Sequence, residues 1–197
     1  NIQPQKKLTA NPGVILKFSA YSYLDVFGDL RLEGQKSTTT KVYLTSIQND
    51  AVGGDTNGDG NATTPAPGDY GGILFEPGST GEIKNTQIEY GGYGGYPLVA
   101  TLKNNGGRIS ITNTKFANNS NGIILNGGTT TISQSSLIGL PSNSPFFYNN
   151  FTATTTAQNN WWGSASGPNH PNLNPTGTGS SVLGNVLFAP WLLSDPN

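Results

Sequence analysis

Short runs of alternating apolar and polar residues recur along the first part of the chain: Val14-Ile15-Leu16-Lys17-Phe18, Leu24-Asp25-Val26, Leu30-Arg31-Leu32 and Val42-Tyr43-Leu44. A period of two sends alternate side chains to one face of a strand. Between the runs lie Gly28, Gly34 and clusters of Asn, Asp, Ser and Thr. These are turn residues, and no 3.6-residue apolar stripe follows any of them, so the pattern predicts strands and turns without helices.

The second half repeats itself. Gly72-Ile73-Leu74-Phe75, Leu98-Val99-Ala100, Gly122-Ile123-Ile124-Leu125 and Pro145-Phe146-Phe147 recur with a period in the twenties. A second series keeps step with the first: Ile83–Ile88 (IKNTQI), Ile111–Phe116 (ITNTKF) and the looser Ile132–Leu137 (ISQSSL). Two or three short strands per repeat at this period mark a solenoid whose coils bury their inner faces on one another. Leucine-rich repeats share the period, but their leucine and helix pattern is absent. An all-β solenoid is therefore expected, as one domain over residues 1–197, since no change in composition marks a boundary. The open ends of such a stack need covering against edge-to-edge growth, and self-association is the risk where they are not covered. Trp161, Trp162 and Trp191, with Phe188, Pro190 and Leu192, form a Trp-rich cluster suited to a C-terminal cap.

Composition narrows the function. Only 34% of residues are hydrophobic, but the charged share of 11% is far from the high-charge signature of disorder. Ten Lys and Arg against eleven Asp and Glu leave no electrostatic footprint for nucleic acid. No apolar run approaches the ~20 residues of a membrane span. The chain has no Cys and a single His170, which removes disulfides, thiol nucleophiles and multi-histidine metal sites. It starts at Asn1 without a visible signal peptide, which reads as a processed or trimmed start.

The stretches Asn11–Phe18, Leu44–Ser46, Gly53–Gly60, Gly68–Ile73, Ile88–Gly92, Asn159–Gly163, Ser166–Pro168 and Ala189–Leu192 resemble bacterial right-handed parallel β-helix repeat proteins of the pectin-lyase-like superfamily. The resemblance implies a single-stranded right-handed parallel β-helix in an extracellular or cell-surface protein. It says little about activity, since that superfamily spans lyases, hydrolases, adhesins and modules with no assigned role.

The local chemistry centres on a long Gly/Asp-rich loop. Asp55, Asn57 and Asp59 stand at positions one, three and five of a tight turn with Gly60 at six, the opening of an EF-hand loop. The position of the bidentate EF-hand Glu is held by Ala66, so a complete EF-hand is ruled out. Asp50 and Asp69 from the flanks, and the Asn61 carbonyl, are the candidates to complete a structural Ca2+ shell. The competing reading is an Asp-rich turn held by side-chain-to-backbone hydrogen bonds.

Tyr90, Tyr93 and Tyr96, spaced by Gly pairs, could form a flexible aromatic rim for stacking on a sugar, or could simply cover the coil. An enzyme would need paired carboxylates, or a base beside acidic calcium ligands. Yet no Asp or Glu occurs from Tyr90 through Ser194, and no Lys or Arg from Phe116 onward. Asp25, Asp29, Arg31 and Glu33 read as a solvated strand face, and His170 as a surface turn histidine. The expected role is a non-catalytic module for adhesion, polysaccharide or cell-surface contact, or self-assembly. A polysaccharide lyase or hydrolase is the alternative. Ice binding by the threonines at 38–40, 129–131 and 154–156 is a second, and it needs a regular outward array.

Overall fold

The computed structural model describes residues 1–37, 39–94, 100–138 and 145–197, and no helix occurs among them. The strands run in chain order as β1 (Lys7–Ala10), β2 (Ile15–Phe18), β3 (Leu24–Val26), β4 (Asp29–Glu33), β5 (Val42–Ser46), β6 (Ile73–Phe75), β7 (Thr80–Lys84), β8 (Thr86–Glu89) and β9 (Leu102–Thr112). They continue as β10 (Lys115–Ala117), β11 (Ile123–Ser133), β12 (Ser136–Leu137), β13 (Phe147–Asn149), β14 (Thr155–Thr156), β15 (Pro168–Asn169), β16 (Gly179–Gly184) and β17 (Val186–Leu187). Every ladder between them is parallel. They form a 12-stranded sheet and a five-stranded sheet ordered β12-β10-β8-β5-β2. The protein is thus all-β with parallel sheets, an arrangement compatible with a β-solenoid.

Register explains the sequence pattern. Leu32, Ile83, Ile111 and Ile132 stand in one inward column across β4, β7, β9 and β11. Leu44, Ile88, Phe116 and Leu137 make a second across β5, β8, β10 and β12. Ile73, Leu102, Ile123, Phe147 and Val182 make a third. All of these side chains are buried in one hydrophobic core, each contributing on the order of 1.5–3 kcal/mol. The IKNTQI, ITNTKF and ISQSSL segments therefore stack residue on residue, as their likeness predicts. The first series needs a correction, because the ladder seats Leu102 beside Ile73, not the Leu98-Val99-Ala100 stretch. Backbone donation from Ile73 to the Thr101 carbonyl (3.0 Å) sets that step. Leu98 and Val99 lie outside the described residues.

The sharp corner after the Ile column is made by one residue per repeat in the left-handed region: Asn85 (φ 44°), Asn113 (49°), Gln134 (53°) and Asn159 (57°). Asn tolerates this conformation better than most residues. Each N–H reaches a carbonyl of the following repeat, Asn85 to Thr112, Asn113 to Ser133 and Gln134 to Asn159.

At the C-terminal end Trp162 is fully buried and meets Phe147 edge-on, with ring centroids 6.4 Å apart. Phe188 packs between Trp191 (6.3 Å) and His170 (5.6 Å), while Trp161 stays half-buried. His170 is not a surface histidine: it is 8% exposed. Its Nδ1 accepts the N–H groups of Asn172 (3.2 Å) and Leu173 (3.1 Å), so the ring closes its own turn against the core. The chain end folds back, with Asp195 bonded to Lys115 Nζ (2.9 Å) and to Ser136. At the opposite end Val14, Leu16, Phe18 and Leu24 pack on the core but are only partly buried.

Candidate metal centre

The Gly/Asp-rich loop leaves β5 and returns before β6. At its start Asn49 Nδ2 bonds Thr45 Oγ1 (2.9 Å) and the buried carboxylate of Glu89 (2.9 Å). Gln87 Nε2 donates to the other oxygen of Glu89 (2.9 Å). Lys17 Nζ holds the Gly54 carbonyl at 2.5 Å. At the far end the Gly68 N–H donates to the Tyr90 carbonyl (3.1 Å) and the Gly71 N–H to that of Ser22 (2.8 Å). Both feet of the loop are thus tied to the strands, which places Asp50, next to Asn49, on a fixed base.

Above it, carboxylate oxygens of Asp50, Asp55 and Asp59 lie within 4.8 Å of one another. Asp55 caps the turn, its Oδ1 accepting from Gly58 (2.7 Å) and Asp59 (3.2 Å) and its Oδ2 from Gly60 (2.9 Å). Asp59 Oδ1 accepts from Ala62 (3.1 Å), and its Oδ2 from Asn57 Nδ2 (2.8 Å), the Thr63 N–H (3.1 Å) and the Thr63 hydroxyl. The Thr63 hydroxyl, with the Ala62 N–H, the Asn57 amide and the Asn61 N–H, holds the Asp59 carboxyl below the usual carboxylate range. The side-chain-to-backbone bonds of a plain turn are therefore present. With the Asn61 N–H, five donors reach Asp59, which fills the roughly four acceptor directions of a carboxylate, while Asp55 carries three. Asp50 Oδ1 is buried with no hydrogen-bond partner.

Three carboxylates this close, with Asp50 Oδ1 unpartnered, are of the oxygen type that a hard cation takes, and Asp50, Asp55 and Asp59 would be the charged ligands if Ca2+ were bound there. Asn57 turns its amino group to Asp59 and Thr63, so its carbonyl would join only after a half-turn of the amide. Asn61 adopts φ 75° on the exposed rim of the loop. Asp69 does not join the carboxylate group, and its Oδ2 instead accepts the Ala66 N–H (3.0 Å).

Between Tyr90 and Tyr93 the backbone of the tyrosine rim is hydrogen-bonded to the next turn of the chain. The Gly91 N–H donates to the buried Asn119 Oδ1 (2.8 Å), and the Gly92 carbonyl accepts from Asn121 Nδ2 (2.6 Å) and the Ser120 hydroxyl. Gly92 is required there, since its φ is 90° and a Cβ would sit 2.6 Å from the Asn121 nitrogen. Tyr90 is half-buried, and burial pushes its hydroxyl pKa up. Tyr93 is 40% exposed and meets Tyr21, 69% exposed, edge to face at 4.8 Å. Tyr96 lies outside the described residues. Sequence reasoning missed Tyr21 because it lies in an earlier repeat. Its only signal was an exposed-type Tyr-Ser-Tyr stretch between two strands.

Asp25 departs from the solvated strand face expected of it, since its Oδ1 is buried without a partner. Burial, and then the charge of Glu76, raise its carboxyl above the usual value. Of the threonines that an ice-binding array would use, Thr38 lies outside the described residues. Thr80, Arg108 and Thr129 share one row, which the Arg108 charge interrupts, while the next runs Glu82, Ser110, Thr131 and Thr156, with hydroxyls in succession at its last three positions.

No family model, curated protein or solved structure matches the chain.

Proposed function

We propose that this chain is a non-catalytic extracellular or cell-surface module, a single-stranded right-handed parallel β-helix of the pectin-lyase-like kind, whose Gly/Asp-rich loop is held by Ca2+. The observation that carries the reading is the trio Asp50, Asp55 and Asp59 with its unpartnered buried oxygen. The ion is structural in this reading: it neutralises the three carboxylates and stiffens a loop whose far foot is bonded to Tyr90. The Tyr21–Tyr93 edge then serves as a sugar-stacking contact. The partly buried N-terminal residues Leu16 and Phe18 offer a surface for self-association. The test is a melting curve and a glycan-array screen, each run with Ca2+ and with chelator. The reading expects a higher Tm with Ca2+ and glycan binding that weakens with chelator. An unchanged Tm across millimolar Ca2+ would remove the metal.

One observation favours a second reading, a polysaccharide hydrolase. Asp25 Oδ1 is buried without a partner, and burial, then the charge of Glu76, raise its carboxyl above the usual value, the direction a general acid needs. Release of reducing ends from uronic-acid polymers, abolished by Asp25→Asn, would establish it.

A further inference from the structure

Four Asn-Gly steps occur in the chain, at Asn57, Asn105, Asn121 and Asn126. Asparagine is chemically labile at such a step, because the nitrogen of a following glycine, with no Cβ to shield it, can reach the Asn side-chain carbon. The reaction needs a backbone free to bend. The structure grants that freedom at one step and withholds it at three.

Asn105 and Asn126 lie inside β9 and β11, which pair with each other and with further strands on their outer sides. Asn126 Nδ2 donates to Asn105 Oδ1 (3.1 Å) and Asn105 Nδ2 to Glu76 (3.3 Å). The Gly106 nitrogen is held on the neutral amide oxygen of buried Asn104 (3.0 Å). Asn121 donates to the Gly92 carbonyl (2.6 Å), and Gly122 is buried against the Phe146 carbonyl. Asn57 and Gly58 are both exposed, and no atom lies within 4 Å of a Cβ built on Gly58, so this peptide can turn without displacing a neighbour. The Asn57 carboxamide is folded toward the residues that follow it, with Nδ2 on Asp59 Oδ2 (2.8 Å) and Thr63 Oγ1 (3.2 Å). The Gly58 N–H points at the charged Oδ1 of Asp55 (2.7 Å), which polarises the nitrogen that must attack.

We propose that Asn57 is a self-modifying site, converting to aspartate and isoaspartate with time while the other three Asn-Gly steps stay intact in the folded chain. The Gly58 nitrogen bonds to Asn57 Cγ as the Cγ–Nδ2 bond breaks. The Gly58 N–H proton, already shared with Asp55 Oδ1, passes by way of water to Nδ2, which leaves as ammonia. Water then adds to the cyclic imide. Opening at the side-chain carbonyl leaves aspartate, and opening at the main-chain carbonyl leaves isoaspartate, with the chain rerouted through the side-chain carbon. Either product adds a negative charge to a loop that already gathers Asp50, Asp55 and Asp59. Isoaspartate also lengthens the turn, pulling the Gly58, Asp59 and Gly60 N–H groups away from Asp55. The reaction needs no bound ion and goes beyond the reading of the loop as a Ca2+ site.

The full chain is aged in chelator at neutral pH, folded and in urea, and digested for peptide mass mapping with chromatographic separation of isoaspartate. The proposal expects conversion at Asn57 at least about tenfold faster than at Asn105, Asn121 or Asn126 in the folded chain, and comparable rates at all four in urea. Gly58→Ala should slow conversion at Asn57 about tenfold or more and leave the other three steps as they were. Asn57→Gln should yield no loop product over the same ageing time. Equal rates at the four steps of the folded chain overturn the proposal, as does faster conversion at any step other than Asn57. An Asn57 that stays intact in the folded chain while the urea sample converts overturns it too. Conversion at Asn57 that Gly58→Ala leaves unchanged rules out attack by the Gly58 nitrogen and overturns the mechanism.

Discussion

Phe75 and Gly81 give the sharpest test of how the inner faces meet. Gly81 occupies an inward position in register with Leu30 and Ile109, where the pattern calls for an apolar side chain. A Cβ built on it would stand 2.5 Å from Phe75 Cε1 and 2.7 Å from Cζ, so the Phe75 ring fills the space that Gly81 leaves. Phe75→Ala empties that space and should cost about 3–5 kcal/mol. In a chain of this size that lowers Tm by roughly 6–20 °C. Gly81→Ala alone pushes a methyl into the ring and should cost about 1–3 kcal/mol. In the Phe75→Ala background the same methyl enters a void and should be neutral or stabilising. The double-mutant cycle should therefore show a favourable coupling of ~1–3 kcal/mol. Urea and thermal unfolding of the four proteins measure it. Additivity within ~0.5 kcal/mol would mean that the ring does not sit on Gly81, and the inward packing of β6 on β7 would have to be redrawn.

Asp50→Asn should be neutral or mildly stabilising in chelator, where it relieves crowding among three carboxylates, and should abolish the Tm gain from Ca2+; a Tm gain that survives the substitution removes Asp50 as a ligand. Burial works against the Asp29 charge, but the Thr80 hydroxyl and Arg31 outweigh it, and Lys84, then Arg31, lower Glu82 against burial. Both carboxyls thus sit below their ordinary values of 3.8 and 4.5. Depressed carboxyls stabilise the fold above those values and lose that contribution as pH falls through the folded ones, so Tm should drop below about pH 4 and drop less in Arg31→Gln. The Asp25 carboxyl is shifted the other way, by burial and by Glu76. Asp25→Asn should therefore raise Tm at pH 7 and leave it unchanged at pH 3, as followed by circular dichroism.

Much of the scaffold was legible in the order of residues. Alternation at Leu30-Arg31-Leu32 and Val42-Tyr43-Leu44, and the matched segments beginning at Ile83, Ile111 and Ile132, follow from the two-residue period of a strand. Each such segment must be apolar on the side that stacks, and each corner needs a residue such as Asn113 that accepts a left-handed backbone. The meeting of Asp55 and Asp59 was legible too, because side chains four residues apart can converge in one tight turn. What lay beyond the order of residues is every pairing that depends on the step from one repeat to the next. Loops of unequal length separate the repeats, so the seating of Leu102 beside Ile73 and the meeting of Tyr21 with Tyr93 appear only once parallel ladders set the register. His170 looked exposed because its neighbours are turn residues. It is buried because Phe188, eighteen residues further on, folds back to cover it, and local sequence carries no record of such a contact.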